Sequence, residues 1–163
     1  MTQIPVRNPH TGEIDYAFVE PTKSELASKI SRLRENQLDW FSLQVSDRGE
    51  ILRQFADGLA RHKDQLAQAL CIDTGRWRLS VMEVDALEAI THSRVNQAIV
   101  TLQTKRMESE SIDISHLQVF VPYPVVGVIS PWNYPLILSF LDAVPALLAG
   151  CSVIIKPSEV TPR

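Results

Sequence analysis

Cysteine is nearly absent from the chain: Cys71 and Cys151 are the only two. A pair so far apart is not a disulfide framework, and neither residue has a metal-ligand partner at short spacing. The four histidines, His10, His62, His92 and His116, are equally scattered. No two of them have the i, i+4 spacing that sets a pair of ligands on one helix face, so no metal is assigned. Nor is there an excess of charge of one sign. Sixteen basic residues against nineteen acidic ones leave a net charge of −3, which excludes a basic face able to neutralise a row of phosphates. No nucleic-acid partner is therefore expected. The first residues, Met1 to Arg7, carry no apolar run of the secretory type.

A long uninterrupted apolar run is missing as well. Residues Ile114 to Leu141 bear one charge at most, but Pro122, Pro124, Pro131 and Pro135 break the stretch, and His116, Gln118 and Asn133 sit inside it. A spanning helix needs roughly 20 mostly apolar residues in continuous helix, so no membrane segment is expected. The default setting is soluble, reducing and cytoplasmic. What is present is a core: 45% of the 163 residues are hydrophobic, enough to offset the ordering entropy of a globular fold.

Along the chain, residues 8–13 (Asn-Pro-His-Thr-Gly-Glu) form a turn between two short apolar runs and predict a surface hairpin or loop. Thr22-Lys23-Ser24-Glu25 has the spacing of a capping box, followed by Leu26, Ile30 and Leu33 at helical intervals. A second helix carries Ile51, Leu52, Phe55 and Leu59, and a third runs from Asp64 to about Asp73 and stops near Gly75. The fourth is long, with Val81, Val84, Leu87, Ile90, Ala98 and Leu102. These stripes predict scaffold helices that bury one face each. Residues 104–111 lack an apolar period and predict a polar connection. Leu117, Val119 and Val121 then alternate with Gln118, Phe120 and Pro122, predicting a half-exposed edge strand.

The last forty residues change character. Val125–Ile129 and Cys151–Ile155 are apolar runs of strand length, separated by the nearly all-apolar segment 135–149. Strand, buried helix and strand predict a βαβ unit with parallel strands. The fold class expected is α/β: amphipathic helices over 1–103, a connection and edge strand over 104–124, and the start of a Rossmann-like sheet over 125–163. Strands apolar on both faces belong inside a covered sheet, so this sheet is expected to be incomplete within the chain. Ligands of open parallel sheets bind beyond the carboxyl ends of the strands. Two proline-stiffened peptides fall there, 130–135 (Ser-Pro-Trp-Asn-Tyr-Pro) and 156–159 (Lys-Pro-Ser-Glu).

Ser130-Pro131-Trp132-Asn133, the segment 145–150 (Pro-Ala-Leu-Leu-Ala-Gly) and the segment 156–162 (Lys-Pro-Ser-Glu-Val-Thr-Pro) resemble, in order and spacing, the N-terminal cofactor-binding region of the aldehyde dehydrogenase superfamily. The upstream pieces 8–13, 47–52 (Asp-Arg-Gly-Glu-Ile-Leu) and 74–76 (Thr-Gly-Arg) agree with it. The resemblance implies that Asn133 donates a side-chain N–H to an oxyanion. It implies that Lys156 and Glu159 hold the hydroxyls of the adenosine ribose, and that the backbone of Ile129 and Trp132 lines the cofactor's path. A carboxylate beside the ribose 2′-hydroxyl implies NAD as cofactor rather than NADP. The substrate implied is a small-molecule aldehyde, with Leu136, Phe140 and Leu141 lining its tunnel.

The family's nucleophilic cysteine and general-base glutamate are expected downstream of residue 163. Cys151, at the start of a buried strand, and Cys71, on a helical stripe, are expected to be inert core residues. The 163 residues alone are expected to be inactive. The segment 104–118 and the strand after it resemble the family's intersubunit arm, which implies a homodimer or homotetramer. Two other readings share these motifs: a non-catalytic remnant or interaction module, and a reductase of acyl-phosphates or acyl-CoA on the same fold.

Overall fold

The computed structural model describes residues 3–108 and 114–163. The chain opens with an antiparallel hairpin, β1 (Gln3–Arg7) and β2 (Ile14–Val19), turned by residues 8–13 as the sequence predicts. Four helices follow: α1 (Lys23–Ser42), α2 (Val45–Arg61), α3 (Lys63–Thr74) and α4 (Trp77–Thr101). The Thr22–Glu25 capping box is formed: the Glu25 N–H donates to Thr22 Oγ1 at 3.2 Å, and the Thr22 N–H donates to Glu25 Oε2 at 2.7 Å. Gly75 ends α3 in the left-handed region, with φ of 72°, where a Cβ would be strained.

Beyond α4 lie β3 (Lys105–Glu108) and β4 (Ser115–Gln118), an antiparallel pair. Part of the expected polar connection is thus a strand, while its residues 109–111 lie outside the described residues. The expected alternation over 117–122 is not realised either. The strand stops at Gln118, and Leu117, Val119 and Val121 are all exposed. Among the described residues every position of β3 and β4 is exposed, so this two-stranded ribbon has no buried face for such a pattern to mark.

The chain then forms β5 (Val125–Ile129), α5 (Pro135–Leu148) and β6 (Ser152–Lys156). The two strands are parallel and in register from Val125 opposite Ser152 to Ile129 opposite Lys156, which makes the predicted βαβ unit and an α/β fold. Helices α1 and α5 both pack on this sheet.

One buried cluster joins Leu52 of α2, Val95 of α4, and Val144 and Leu148 of α5. Helices α2 and α4 approach closely at Gly49, where an added Cβ would stand 2.8 Å from Val95 Cγ1. A second cluster joins Ala67 and Leu70 of α3 to Val84 of α4, with Leu136 of α5 against it. The expected burial of every helical stripe is corrected in part. Leu52 is buried, but Leu26, Ile51 and Phe55 are exposed, and the one buried residue of α1 is Gln37. Helix α1 is held by hydrogen bonds more than by an apolar seam.

Those bonds converge on α5. At its C-terminal end, where unpaired carbonyls carry partial negative charge, Trp40 Nε1 donates to the Leu147 carbonyl at 2.8 Å and Gln37 Nε2 to that of Gly150 at 2.8 Å. Arg48 Nε donates to the Leu148 carbonyl at 3.0 Å, with the Arg48 side chain buried so deeply that desolvation lowers its pKa. At the N-terminal end the opposite charge is supplied. Glu83 of α4, 4% exposed, accepts the N–H groups of Leu136 and Ile137 on Oε1, at 2.8 and 3.0 Å. A carboxylate at the start and a guanidinium at the end complement the helix dipole. Neighbouring helices therefore fix the position of α5 along its own axis.

Candidate functional site

The loop between β5 and α5 inherits that rigidity. Tyr134 precedes α5 and supplies no side-chain cap, and Pro135 at the first helical position has no N–H to satisfy, so Glu83 caps the next two amides in its place. Ser130 Oγ donates to the Pro135 carbonyl at 2.7 Å, closing the loop on itself. From the N-cap of α4, Arg76 donates to the main-chain carbonyl of Asn133, and its guanidinium lies 5.4 Å from the centre of the Tyr134 ring. The main chain of Asn133 is thereby held, and the side-chain carboxamide is not used in that bond.

The second loop follows β6. The Ser130 N–H donates to the Lys156 carbonyl at 2.9 Å, which ties the two loops together at the carboxyl ends of the paired strands. Lys156 Nζ lies 3.0 Å from Glu159 Oε2 and also donates to the Pro157 carbonyl at 3.0 Å. Hydrogen bonds from the Glu159 backbone and Lys156 hold the Glu159 carboxyl below its ordinary value. It is ionised at neutral pH. Ile129, opposite Lys156 in the sheet, is 80% exposed, leaving apolar surface next to a donor and an acceptor, and Trp132 in the first loop is 57% exposed.

The residues predicted from sequence thus fall into two groups. Ile129, Trp132, Lys156 and Glu159 share the open edge of the sheet, while Asn133 is placed against α4 through Arg76. A cleft of about 290 Å³ lies next to them, lined by Leu70, Ser130, Pro135, Leu136, Phe140 and Pro157 among others. None of the five predicted residues lines it. The predicted tunnel residues divide, with Leu136 and Phe140 on the cleft and Leu141 not.

A nucleoside ribose fits the sheet-edge group. An ammonium and a carboxylate at hydrogen-bond separation can exchange their mutual contact for a vicinal diol, the lysine donating and the carboxylate accepting. Both cysteines are free thiols, as expected. Cys151 is buried and burial pushes its thiol up, which suits a packing residue and not a nucleophile. Cys71 departs from the expected core position: it is half-buried, with Sγ 3.5 Å from His10 Nε2.

Sequence reasoning missed Arg76 and Glu83, the residues that hold the Asn133 loop. Each looks like one more charge on an amphipathic helix. The signal available was Pro135 preceded by no Ser, Thr, Asp or Asn at the capping position, a helix start that must find its acceptor elsewhere. Histidine spacing also overlooked a mixed set: Asp57, Glu88 and His92 offer ligand atoms within 4.8 Å of one another.

The sequence profile described as "Aldehyde dehydrogenase family" matches residues 1–163. Among curated relatives, the chain is 33% identical over 161 residues to the "putative succinate-semialdehyde dehydrogenase (NADP+)" of Mycolicibacterium smegmatis, covering 97% of this chain and 31% of that protein. Among solved structures, the "putative aldehyde dehydrogenase PutA" of Anabaena variabilis superposes with a TM-score of 0.94 at 44% identity, covering 99% of this chain and 35% of that one. A betaine aldehyde dehydrogenase of Staphylococcus aureus, solved in complex with NAD+, gives 0.89 at 29% identity, covering 99% of this chain and 33% of that one. The chain spans about a third of the length of the relatives it matches. With its motifs, its βαβ unit and its sequence profile in agreement over the whole span, the chain belongs to the aldehyde dehydrogenase family.

Proposed function

We propose that the protein to which these residues belong oxidises a small-molecule aldehyde to a carboxylic acid, with NAD as electron acceptor. The observation that carries this reading is the union of two loops beyond adjacent parallel strands. One presents the Asn133 carboxamide from a clamped main chain. The other presents Lys156 and Glu159 3.0 Å apart at an apolar edge.

In this reading Asn133 donates its side-chain N–H to the aldehyde oxygen as that oxygen takes on negative charge. A donor fixed before the reaction needs no reorganisation when the charge develops, and this is where such donors gain their effect. Arg76 and Glu83 supply the fixing. Lys156 donates to, and Glu159 accepts from, the adenosine ribose hydroxyls, with Ile129 and Trp132 flanking the cofactor's path. NAD, when bound, accepts the hydride of the aldehyde carbon. The ionised Glu159 opposes a 2′-phosphate, which favours NAD over NADP.

Residues 1–103 and 125–163 act as one cofactor-binding unit in this reading, the helices setting the loops of the sheet. Residues 104–124 act as an oligomerisation arm in a homodimer or homotetramer. Exposed Met107 and Leu117 on the β3–β4 ribbon, and Phe120 and Val121 just beyond it, support that role, since apolar side chains exposed along one segment are natural interface material. No helix of the described residues is long and apolar enough to cross a membrane. The two free thiols fit the reducing environment of the cytoplasm.

Steady-state kinetics of Asn133→Ala test the proposal. Loss of one oxyanion donor is expected to lower kcat by ~10²–10³-fold while KM for NAD stays within twofold. The substitution spares the main-chain carbonyl that Arg76 holds, so an unchanged kcat removes Asn133 from the mechanism.

A further inference from the structure

On the far side of the helical layer, three side chains meet that the proposed chemistry does not use. Glu88 and His92 are one turn apart on α4, so both project from the same face of that helix. Asp57 faces them from α2. One carboxylate oxygen from each acid and one imidazole nitrogen all lie within 4.8 Å of one another. His92 Nε2 is 3.5 Å from Asp57 Oδ1. That nitrogen is sealed from solvent and, among the described residues, has no hydrogen-bond partner. Buried polar nitrogens are rarely left so, because an unmade bond forfeits the compensation for desolvation.

We propose that Asp57, Glu88 and His92 form a binding site for a divalent transition-metal ion of the zinc type, bridging α2 and α4. Two carboxylates balance the charge of a divalent cation, and an imidazole ligand directs the choice toward zinc and its neighbours and away from magnesium or calcium. Ligands at about 2.0–2.2 Å from a tetrahedral zinc stand roughly 3.3–3.5 Å apart. The separation of His92 and Asp57 already meets that spacing. Glu88, at the surface, has the rotamer freedom to close the remaining gap. Water completes the fourth position, which gives an open site. Bound metal ties together the two helices that carry Arg48 and Glu83, the residues that cap the two ends of α5. The ion would brace the scaffold behind the cofactor loops. Nothing in this proposal depends on the aldehyde chemistry.

The test is calorimetric titration of Zn2+ into the protein, purified without a histidine tag. The wild type is expected to show one saturable site per chain. His92→Ala and Asp57→Asn are each expected to weaken it by at least about tenfold, since loss of even a supporting group around a metal has that effect. Cys71→Ser, which disables the other metal-capable pair formed with His10, is expected to bind as the wild type does. The Asp57 side chain is 51% and that of His92 36% exposed, and circular dichroism of each variant verifies the fold. Cobalt substitution is a second readout: a nitrogen and oxygen ligand set gives visible bands without a thiolate charge-transfer band. No saturable binding, binding that survives His92→Ala or Asp57→Asn, or binding that is lost in Cys71→Ser each overturns the proposal.

Discussion

Replacing Glu83 separates the role of a capping carboxylate from that of an incidental buried charge. In Glu83→Ala, the N–H groups of Leu136 and Ile137 lose their common acceptor. An unsatisfied buried donor costs about 1–3 kcal/mol, and a charge at a helix N-terminus contributes about 0.3–2 kcal/mol. Both amides are partly accessible to water, so the lower half of each range applies. The expected loss of unfolding free energy is about 2–4 kcal/mol. Glu83→Gln keeps an oxygen that can accept both N–H groups and forfeits only the charge and its attraction to Arg76. Because it also removes the desolvation of that charge, it should stay within about 0.5 kcal/mol of the wild type at neutral pH. Urea denaturation followed by tryptophan fluorescence measures both. Equal losses for the two variants, or a loss below about 0.5 kcal/mol for Glu83→Ala, refute the capping argument.

The same pair carries a pH signature. Burial raises the Glu83 carboxyl above its ordinary value of 4.5, against the opposing pull of the two amides and Arg76. The folded protein therefore holds this proton more tightly than the unfolded chain does. The stability that the proton contributes is fully present below about pH 4.5 and is lost as pH rises through the elevated folded value. Glutamine does not titrate. The wild type's stability relative to Glu83→Gln should thus fall with rising pH across that window. A rise would place the carboxyl pKa on the other side of its ordinary value.

Two further outcomes are expected. Gly150→Ala must place a Cβ at φ of 97°, 2.6 Å from Phe41 Cδ2, so a backbone penalty and a clash combine. Because the Phe41 ring is partly exposed and can yield, the denaturation midpoint should report a loss of about 2–3 kcal/mol. Glu159→Gln removes the charge that opposes a 2′-phosphate, and the ratio of kcat/KM for NADP to that for NAD should rise about tenfold. An unchanged ratio would assign cofactor choice to other residues.

What the sequence made legible follows from which forces act locally. The Thr22–Glu25 box, the Gly75 stop and the parallel strands on either side of α5 rest on interactions a few residues long or on plain apolar runs, and all of them are found as expected. The motif around Asn133 and Lys156 was legible for another reason, as a recurring family pattern. What escaped were contacts made across the chain by single polar side chains. Arg48 reaches a carbonyl one hundred residues away, Gln37 one further still, and Glu83 an amide fifty-three residues on. No periodicity marks such residues, because on a helix they occupy positions where solvent-facing charges are equally common.

These polar side chains also explain the upstream motifs. In the segment 47–52, Arg48 caps the C-terminal end of α5 and Gly49 admits the close crossing of α4. In the segment 74–76, Gly75 turns the chain so that Arg76 can clamp Asn133. Motifs that look like helix punctuation are therefore parts of one device. The scaffold grips both ends of α5 and the loop before it, so the main chain that carries Asn133 is held by single polar side chains of the helical layer. Weakening either grip should loosen the loop while leaving the βαβ unit assembled, since the strands pair through their own backbone bonds.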